Sequence, residues 1–187
     1  MPLAYVFWHS RREDVPPAIY EGALRDFHRS LAREAPAGFR RSFVHRLAEA
    51  PAWLPSKTGA YEDWYLVDDS AALDVLNDAA IAAVRRREHD RAAGLAASGT
   101  AGLYRLRRGD PEAGPVRRAH WTSKPEGESY GDFYPRFDVA LAAPGAALWG
   151  RQMTLGPTPE FCLHAESVPE IPGVSSISLE LSPVAIG

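Results

Sequence analysis

Imidazole is the one unperturbed side chain that exchanges a proton near neutral pH, so histidines in structured segments are the first candidates for chemistry. Three of the six histidines, His9, His120 and His164, lie in short stretches rich in aromatic and β-branched residues. Strand side chains alternate between faces, and bulky apolar residues are expected to lie under helices. On that rule Val6, Trp8, Ala119 and Trp121 face helices, whereas Phe7, His9, Arg11, His120, Thr122 and Lys124 face the other way. Trp64, Leu66, Phe161 and Leu163 likewise lie under helices, leaving Tyr65, Val67, Cys162 and His164 on the opposite face. The expected site therefore has His9, His120 and His164 as acid–base residues. Phe7, Arg11, Tyr65, Thr122 and Cys162 are its substrate-binding neighbours. The plainer alternative is that these histidines only make hydrogen bonds inside a half-polar interface. Arg41 and His45 stay unassigned, because Phe43 and Met153 favour one register while Ser42, Gln152 and Thr154 are polar on the other face.

Other chemistries find less support. Cys162 is the only cysteine, which excludes an internal disulfide and multi-thiolate zinc sites. No His-x-His or His-x-x-x-His pair is present, so no metal ligand is assigned and no cofactor is expected. The sequence also lacks a nucleophile elbow, a phosphate-cradling loop and a dinucleotide fingerprint. The carboxylate pairs Glu62-Asp63 and Asp68-Asp69 read as caps and solvated charges. Tyr5, Phe7, Tyr61, Trp64 and Tyr65 could stack on a planar substrate or fill a core. A net charge of −3 gives no footprint for nucleic acid, and the arginine runs at 85–87 and 105–108 read as a helix end and a strand edge. No apolar run reaches the roughly 18 residues of a membrane span, and the first residues lack a signal-peptide pattern, so a cytoplasmic location is expected.

These residues need elements to hold them. Residues 4–10 read as a strand, Asp14-Val-Pro-Pro as a helix start, and Tyr20, Ala23, Leu24, Phe27 and Leu31 as the apolar stripe of a helix ending near Gly38. Residues 40–47 and 61–67 are strands, Ser70 opens a long helix that fades into the small-residue stretch 94–102, and residues 103–106 are a strand. The order is β-α-β-β-α-β, the ferredoxin-like arrangement. The rest of the chain aligns on this unit, Trp8-His-Ser10 with Trp121-Thr-Ser123, and Tyr20, Phe27, Leu31 and Arg41 with Tyr130, Phe137, Leu141 and Arg151. Asp63-Trp-Tyr-Leu66 faces Glu160-Phe-Cys-Leu163, and Leu106 faces Leu181. Each change of offset falls between elements, where insertions are tolerated. Pro169, Pro172 and Gly173 leave no room for a second helix in the second unit. Ser129 resembles a helix cap, but a start at Asp132 keeps Pro135 in the first turn.

The fold class is therefore α+β, with a complete unit over 1–112 and a truncated one over 117–187, expected to form one structural domain. The pairing resembles the dimeric α+β barrel superfamily, whose two sheets pack face to face around a lumen, here with both halves in one chain. That superfamily includes cofactor-free oxygenases, lactone isomerases and haem-binding chlorite dismutase relatives. The resemblance rests on element order and repeat, not on a catalytic motif. It implies a small hydrophobic or aromatic substrate between the sheets, and a monomer with internal pseudo-symmetry or a homodimer. A non-catalytic binding protein and a metal or haem protein are the alternatives.

Overall fold

A computed structural model describes residues 1–55, 59–152, 156 and 158–187. Met153 and Thr154, used above to weigh the second strands, lie outside the described residues. Strands β1 (Leu3–Arg11), β2 (Phe39–Leu47), β3 (Ala60–Val67) and β4 (Ala96–Gly109) come from the first half. The second half supplies β5 (Arg118–Thr122), β6 (Ala147–Arg151), β7 (Phe161–His164) and β8 (Ile177–Ile186). They form one closed antiparallel barrel in the order β1-β3-β2-β8-β5-β7-β6-β4, with β4 returning to β1. The first half reads β4-β1-β3-β2 in space and the second β8-β5-β7-β6, the same order strand for strand. Their seams are β2–β8 and β4–β6.

Helix α1 (Pro17–Arg33) begins on Pro16 and Pro17, whose missing N–H groups would have had no intrahelical acceptor there. Its buried stripe contains Tyr20, Ala23, Leu24, Phe27 and Leu31, as the spacing predicts. Asp14 does not cap it but pairs with Arg12. The single helix expected after Ser70 is two helices, α2 (Ser70–Ile81) and α3 (Arg86–Leu95). Asp69 caps α2 by accepting from the Ala72 N–H at 3.0 Å. Between the helices the buried Arg85 guanidinium donates to the carbonyls of Ser30, Glu34 and Ala79, tying the turn to α1. One member of the arginine run is thus an internal brace, not a solvated helix end.

The small residues read as a fading helix form the start of β4. A Cβ on Gly99 would stand 2.4 Å from the Phe7 ring, and one on Gly102 would stand 2.9 Å from Tyr104 and 3.3 Å from Trp8. Their smallness makes room for aromatics on both faces of the strand. In the second half Ser129 caps α4 (Tyr130–Phe133) through the Asp132 N–H, so the helix starts before Asp132. Pro135 is absorbed by a 3-10 turn (Tyr134–Phe137) that leads into α5 (Asp138–Leu141). No helix intervenes between β7 and β8 among the described residues.

The lumen is filled by side chains. All five tryptophans belong to its core, with Trp53 reaching in from the β2–β3 loop to meet Trp8 and Trp121 edge-on at 5.9 and 5.3 Å. This corrects the expected faces. Trp8, Trp121, Trp64 and Leu66 point into the barrel, and Phe7, His9, Tyr65 and Val67 lie beneath α1–α3. In β7 the expectation holds, with Cys162 inward and Phe161 and Leu163 against α4 and the 3-10 turn. The reason is visible in β3, where all eight residues are buried. When both faces are covered, apolarity no longer labels the helix side, and indole volume is what an eight-stranded interior needs. Phe43 and His45 also point inward, and Ser42 and Val44 outward.

Candidate active site

The expected pocket between the sheets is replaced by one outside the barrel, a cavity of about 670 Å³ between the outer face of β1, β3 and β4 and helices α1–α3. Its volume has a simple origin. Helix α1 lays Tyr20, Leu24, Phe27 and Leu31 along one wall, but α3 and the start of β4 contribute mostly Ala, Ser and Gly opposite. Tyr5, Phe7 and Tyr65 form the floor, and the exposed Asp74, Asn77, Ile81, Ala93 and Ala97 form the mouth. The corresponding space of the second half is occupied by the buried side chains of Phe133, Phe137, Phe161, Leu148, Leu163 and Ile171.

At the inner end of the cavity lies a buried hydrogen-bond chain. Tyr20 Oη is 2.6 Å from His9 Nδ1, and His9 Nε2 is 2.9 Å from Asp63 Oδ1. The other carboxylate oxygen accepts from Tyr65 Oη at 3.0 Å and faces His28 Nε2 at 3.4 Å, while His28 Nδ1 meets Ser42 Oγ at 2.7 Å. Burial alone would raise the Asp63 carboxyl, but His9 and His28 outweigh it and hold the group well below the usual carboxylate range. Burial, reinforced by Asp63, pushes the Tyr20 and Tyr65 phenols far above theirs. Tyr20 is therefore a donor and Asp63 an acceptor, so the His9 tautomer that satisfies both carries its proton on Nε2 and turns the Nδ1 lone pair toward Tyr20. Donor, base and orienting carboxylate stand in line, the geometry of a proton relay.

A second buried carboxylate lies on the other face of the same strand. Glu62, wholly buried in the lumen, accepts from Trp8 Nε1 at 3.2 Å, Trp64 Nε1 at 3.0 Å and His45 Nδ1 at 3.2 Å. His45 Nε2 accepts from the Val116 N–H. Glu62 and Asp63 are thus neither caps nor solvated charges, because a strand covered on both faces turns adjacent carboxylates into opposite interiors.

The structure separates the three histidines assigned from sequence. His9 sits in the cavity wall. His120 lies outward on β5, where Nε2 donates to the Ala165 carbonyl and Nδ1 meets Ser178 Oγ at 2.7 Å. His164 is in the lumen, 4.4 Å centroid to centroid from Trp64, with neither ring nitrogen partnered. Burial, with His45 and His120 nearby, lowers His164 to about 3. Phe7 and Tyr65 line the cavity with His9. Arg11 turns away to donate to the Val15 carbonyl at 2.7 Å, Thr122 shares the outward face of His120, and Cys162 is buried in the lumen with its thiol pushed up by burial and by Glu62. Tyr20, Asp63 and His28 were missed as functional residues. The one available signal was a carboxylate set among Tyr61, Trp64, Tyr65, Leu66 and Val67, where burial demands a partner.

No protein-family model matches the chain, and no curated protein matches it in sequence. Among solved structures it is similar to a candidate monooxygenase from Fusobacterium nucleatum, at TM-score 0.66 and 10% identity over 99% of this chain and 93% of that one. A candidate monooxygenase from Lactobacillus acidophilus superposes at TM-score 0.65 and 9% identity, covering 99% and 95%. A candidate chlorite dismutase follows at 0.52 and 12%, covering 98% and 95%. The fold is that of the dimeric α+β barrel. Here the barrel closes within one chain, so each seam that the dimer makes between protomers joins the two halves of a single polypeptide. The haem of chlorite dismutase relatives does not suit this cavity. Both His9 nitrogens are engaged, and among the described lining residues no Lys or Arg is present to meet propionates. His89 has one ring nitrogen without a hydrogen-bond partner among the described residues but sits near the mouth with Phe27 against it. No helix of the described residues is long and apolar enough to cross a membrane.

Proposed function

We propose that this α+β barrel is a small-molecule enzyme acting on a hydroxylated aromatic compound held under α1–α3, with Tyr20, His9 and Asp63 removing a proton from it. The observation that carries this reading is the alignment of Tyr20 Oη, His9 and Asp63 at 2.6 and 2.9 Å on the wall of a 670 Å³ cavity. Tyr20 gives its own proton to His9 Nδ1 and so keeps its oxygen lone pairs for a substrate hydroxyl. The substrate proton passes to Tyr20 as the Tyr20 proton passes to His9, and Asp63 stabilises the imidazolium that results. Tyr5, Phe7, Phe27 and Tyr65 hold the ring system in a site from which water is displaced.

The reaction that fits both this geometry and the candidate monooxygenases sharing the fold is oxygenation without a cofactor. A substrate anion gives electrons directly to dioxygen, a ring CH₂ becomes C=O, and the second oxygen atom leaves as water. Isomerisation would begin with the same proton removal and consume no oxygen. The stretches 1–112 and 117–187 are read as two ferredoxin-like units of one structural domain, and closure within the chain supports a working monomer.

Oxygen uptake by the purified protein with a panel of hydroxylated two- and three-ring aromatics tests the proposal. Uptake should fall by about 10²–10⁴-fold in His9→Asn and Tyr20→Phe, while binding of the same compounds is kept. Undiminished uptake in both variants would remove the relay.

A further inference from the structure

The cavity has an uneven charge lining, and this carries a statement about the far end of its ligand. Among the described lining residues there is no lysine or arginine, but there are two carboxylates, Asp63 and Asp74. Asp63 is committed at the inner end to His9, His28 and Tyr65. Asp74 stands at the mouth on α2, exposed, with no ion pair or side-chain hydrogen bond among the described residues, and Asn77 lies one turn further along on the same rim. Three of the nearby arginines are engaged elsewhere. Arg12 is tied to Asp14, Arg91 to Asp26, and Arg85 to backbone carbonyls behind the cavity. Arg29, Arg33 and Arg87, which have no side-chain partner among the described residues, line a separate groove between α1 and α3.

Resting on the reading above, we propose that the mouth selects its substrate by charge, admitting a hydroxylated aromatic whose outer end carries a basic amine and turning away one that ends in a carboxylate. The two ends of the cavity ask for different groups. The inner end offers the Tyr20 oxygen to a neutral hydroxyl, and the outer end offers Asp74 and the Asn77 amide to an ammonium. A carboxylate at the rim would face Asp74 with no lysine or arginine among the described lining residues to neutralise it. Both positions are open to solvent, so the discrimination is moderate and responds to salt.

Calorimetric titration with one hydroxylated three-ring scaffold carrying an aminomethyl, hydroxymethyl or carboxymethyl group at its far end tests the inference. At about 0.01 M salt the amine should bind on the order of tenfold tighter than the carboxylate, with the neutral compound between, and the gap should shrink at about 0.3 M. Asp74→Asn changes an exposed helix position and should close most of the gap by weakening the amine and strengthening the carboxylate. Equal binding by all three compounds would leave the cavity reading standing and overturn the charge selection alone. A preference for the carboxylate would overturn it as well. Binding by none of them would overturn the cavity reading and this inference with it.

Discussion

Asp63 holds two histidines and a tyrosine around one buried carboxylate, so its removal and its neutralisation should differ. Asp63→Ala leaves three buried polar groups without their acceptor and should cost about 3–5 kcal/mol, measured by denaturant unfolding. Asp63→Asn keeps the shape, should fold, and should lose on the order of 10²–10⁴-fold in turnover, because the imidazolium formed in the relay is no longer stabilised. His28 does not line the cavity but touches Asp63 from behind. His28→Gln should therefore shift the pH profile of turnover more than it changes KM. His164 makes a separate prediction. Its folded value of about 3 lies below its ordinary 6.5, so between those values the unfolded chain binds the extra proton. Stability should fall as pH drops from about 6.5 toward 3, by up to about 1.4 kcal/mol per pH unit. His164→Leu should flatten that slope in thermal unfolding, at little cost at neutral pH, since neither ring nitrogen has a partner to lose. An unchanged slope would show that His164 is not the buried neutral group described.

At the scale of elements, the turns around α2 position the cavity mouth. Gly38 has φ +75°, and a Cβ there would stand 2.4 Å from the Ala72 Cβ, so Gly38→Ala should destabilise the protein by about 1–3 kcal/mol. Asp69→Ala should cost about 1 kcal/mol through the lost cap. Much of this level could be read from sequence. The Pro16-Pro17 start, the Tyr20 to Leu31 stripe and the missing helix after β7 follow from proline geometry and helical period alone. The break between α2 and α3 could not, because residues 82–85 contain no glycine or proline and the turn is held by Arg85 reaching α1 across the fold. The start of β4 was hidden for the same kind of reason, since its small residues answer to Phe7, Trp8 and Tyr104, which lie far away in sequence.

At the scale of the molecule, the barrel interior is one aromatic body. Trp121 meets Trp8, Trp53 and Tyr104 at 5.3–5.5 Å, so Trp121→Ala should cost about 3–5 kcal/mol. Tryptophan emission, with all five indoles in the core, should be poorly quenched by iodide until the protein unfolds. The barrel itself was legible in the repeat, because strand order survives even where the chain carries no catalytic motif. The site was half legible. His9, Phe7 and Tyr65 share a face as alternation requires, but which face lies inside depends on the volumes of five indoles summed across eight strands, and no single strand records that sum. The same exchange moved His9, Phe7 and Tyr65 out of the lumen and left His164 and Cys162 inside it, on the other side of the sheet. The asymmetry of the halves completes the account, since α1–α3 enclose a cavity over the first sheet whereas Phe133, Phe137 and Phe161 fill the space over the second.

The most direct test is a crystal structure with a hydroxylated aromatic ligand bound. The ligand should lie under α1–α3 with its hydroxyl oxygen about 2.6–3.2 Å from Tyr20 Oη. Density inside the barrel against His164 and Cys162, or over the helices of the second half, would contradict the assignment of the site.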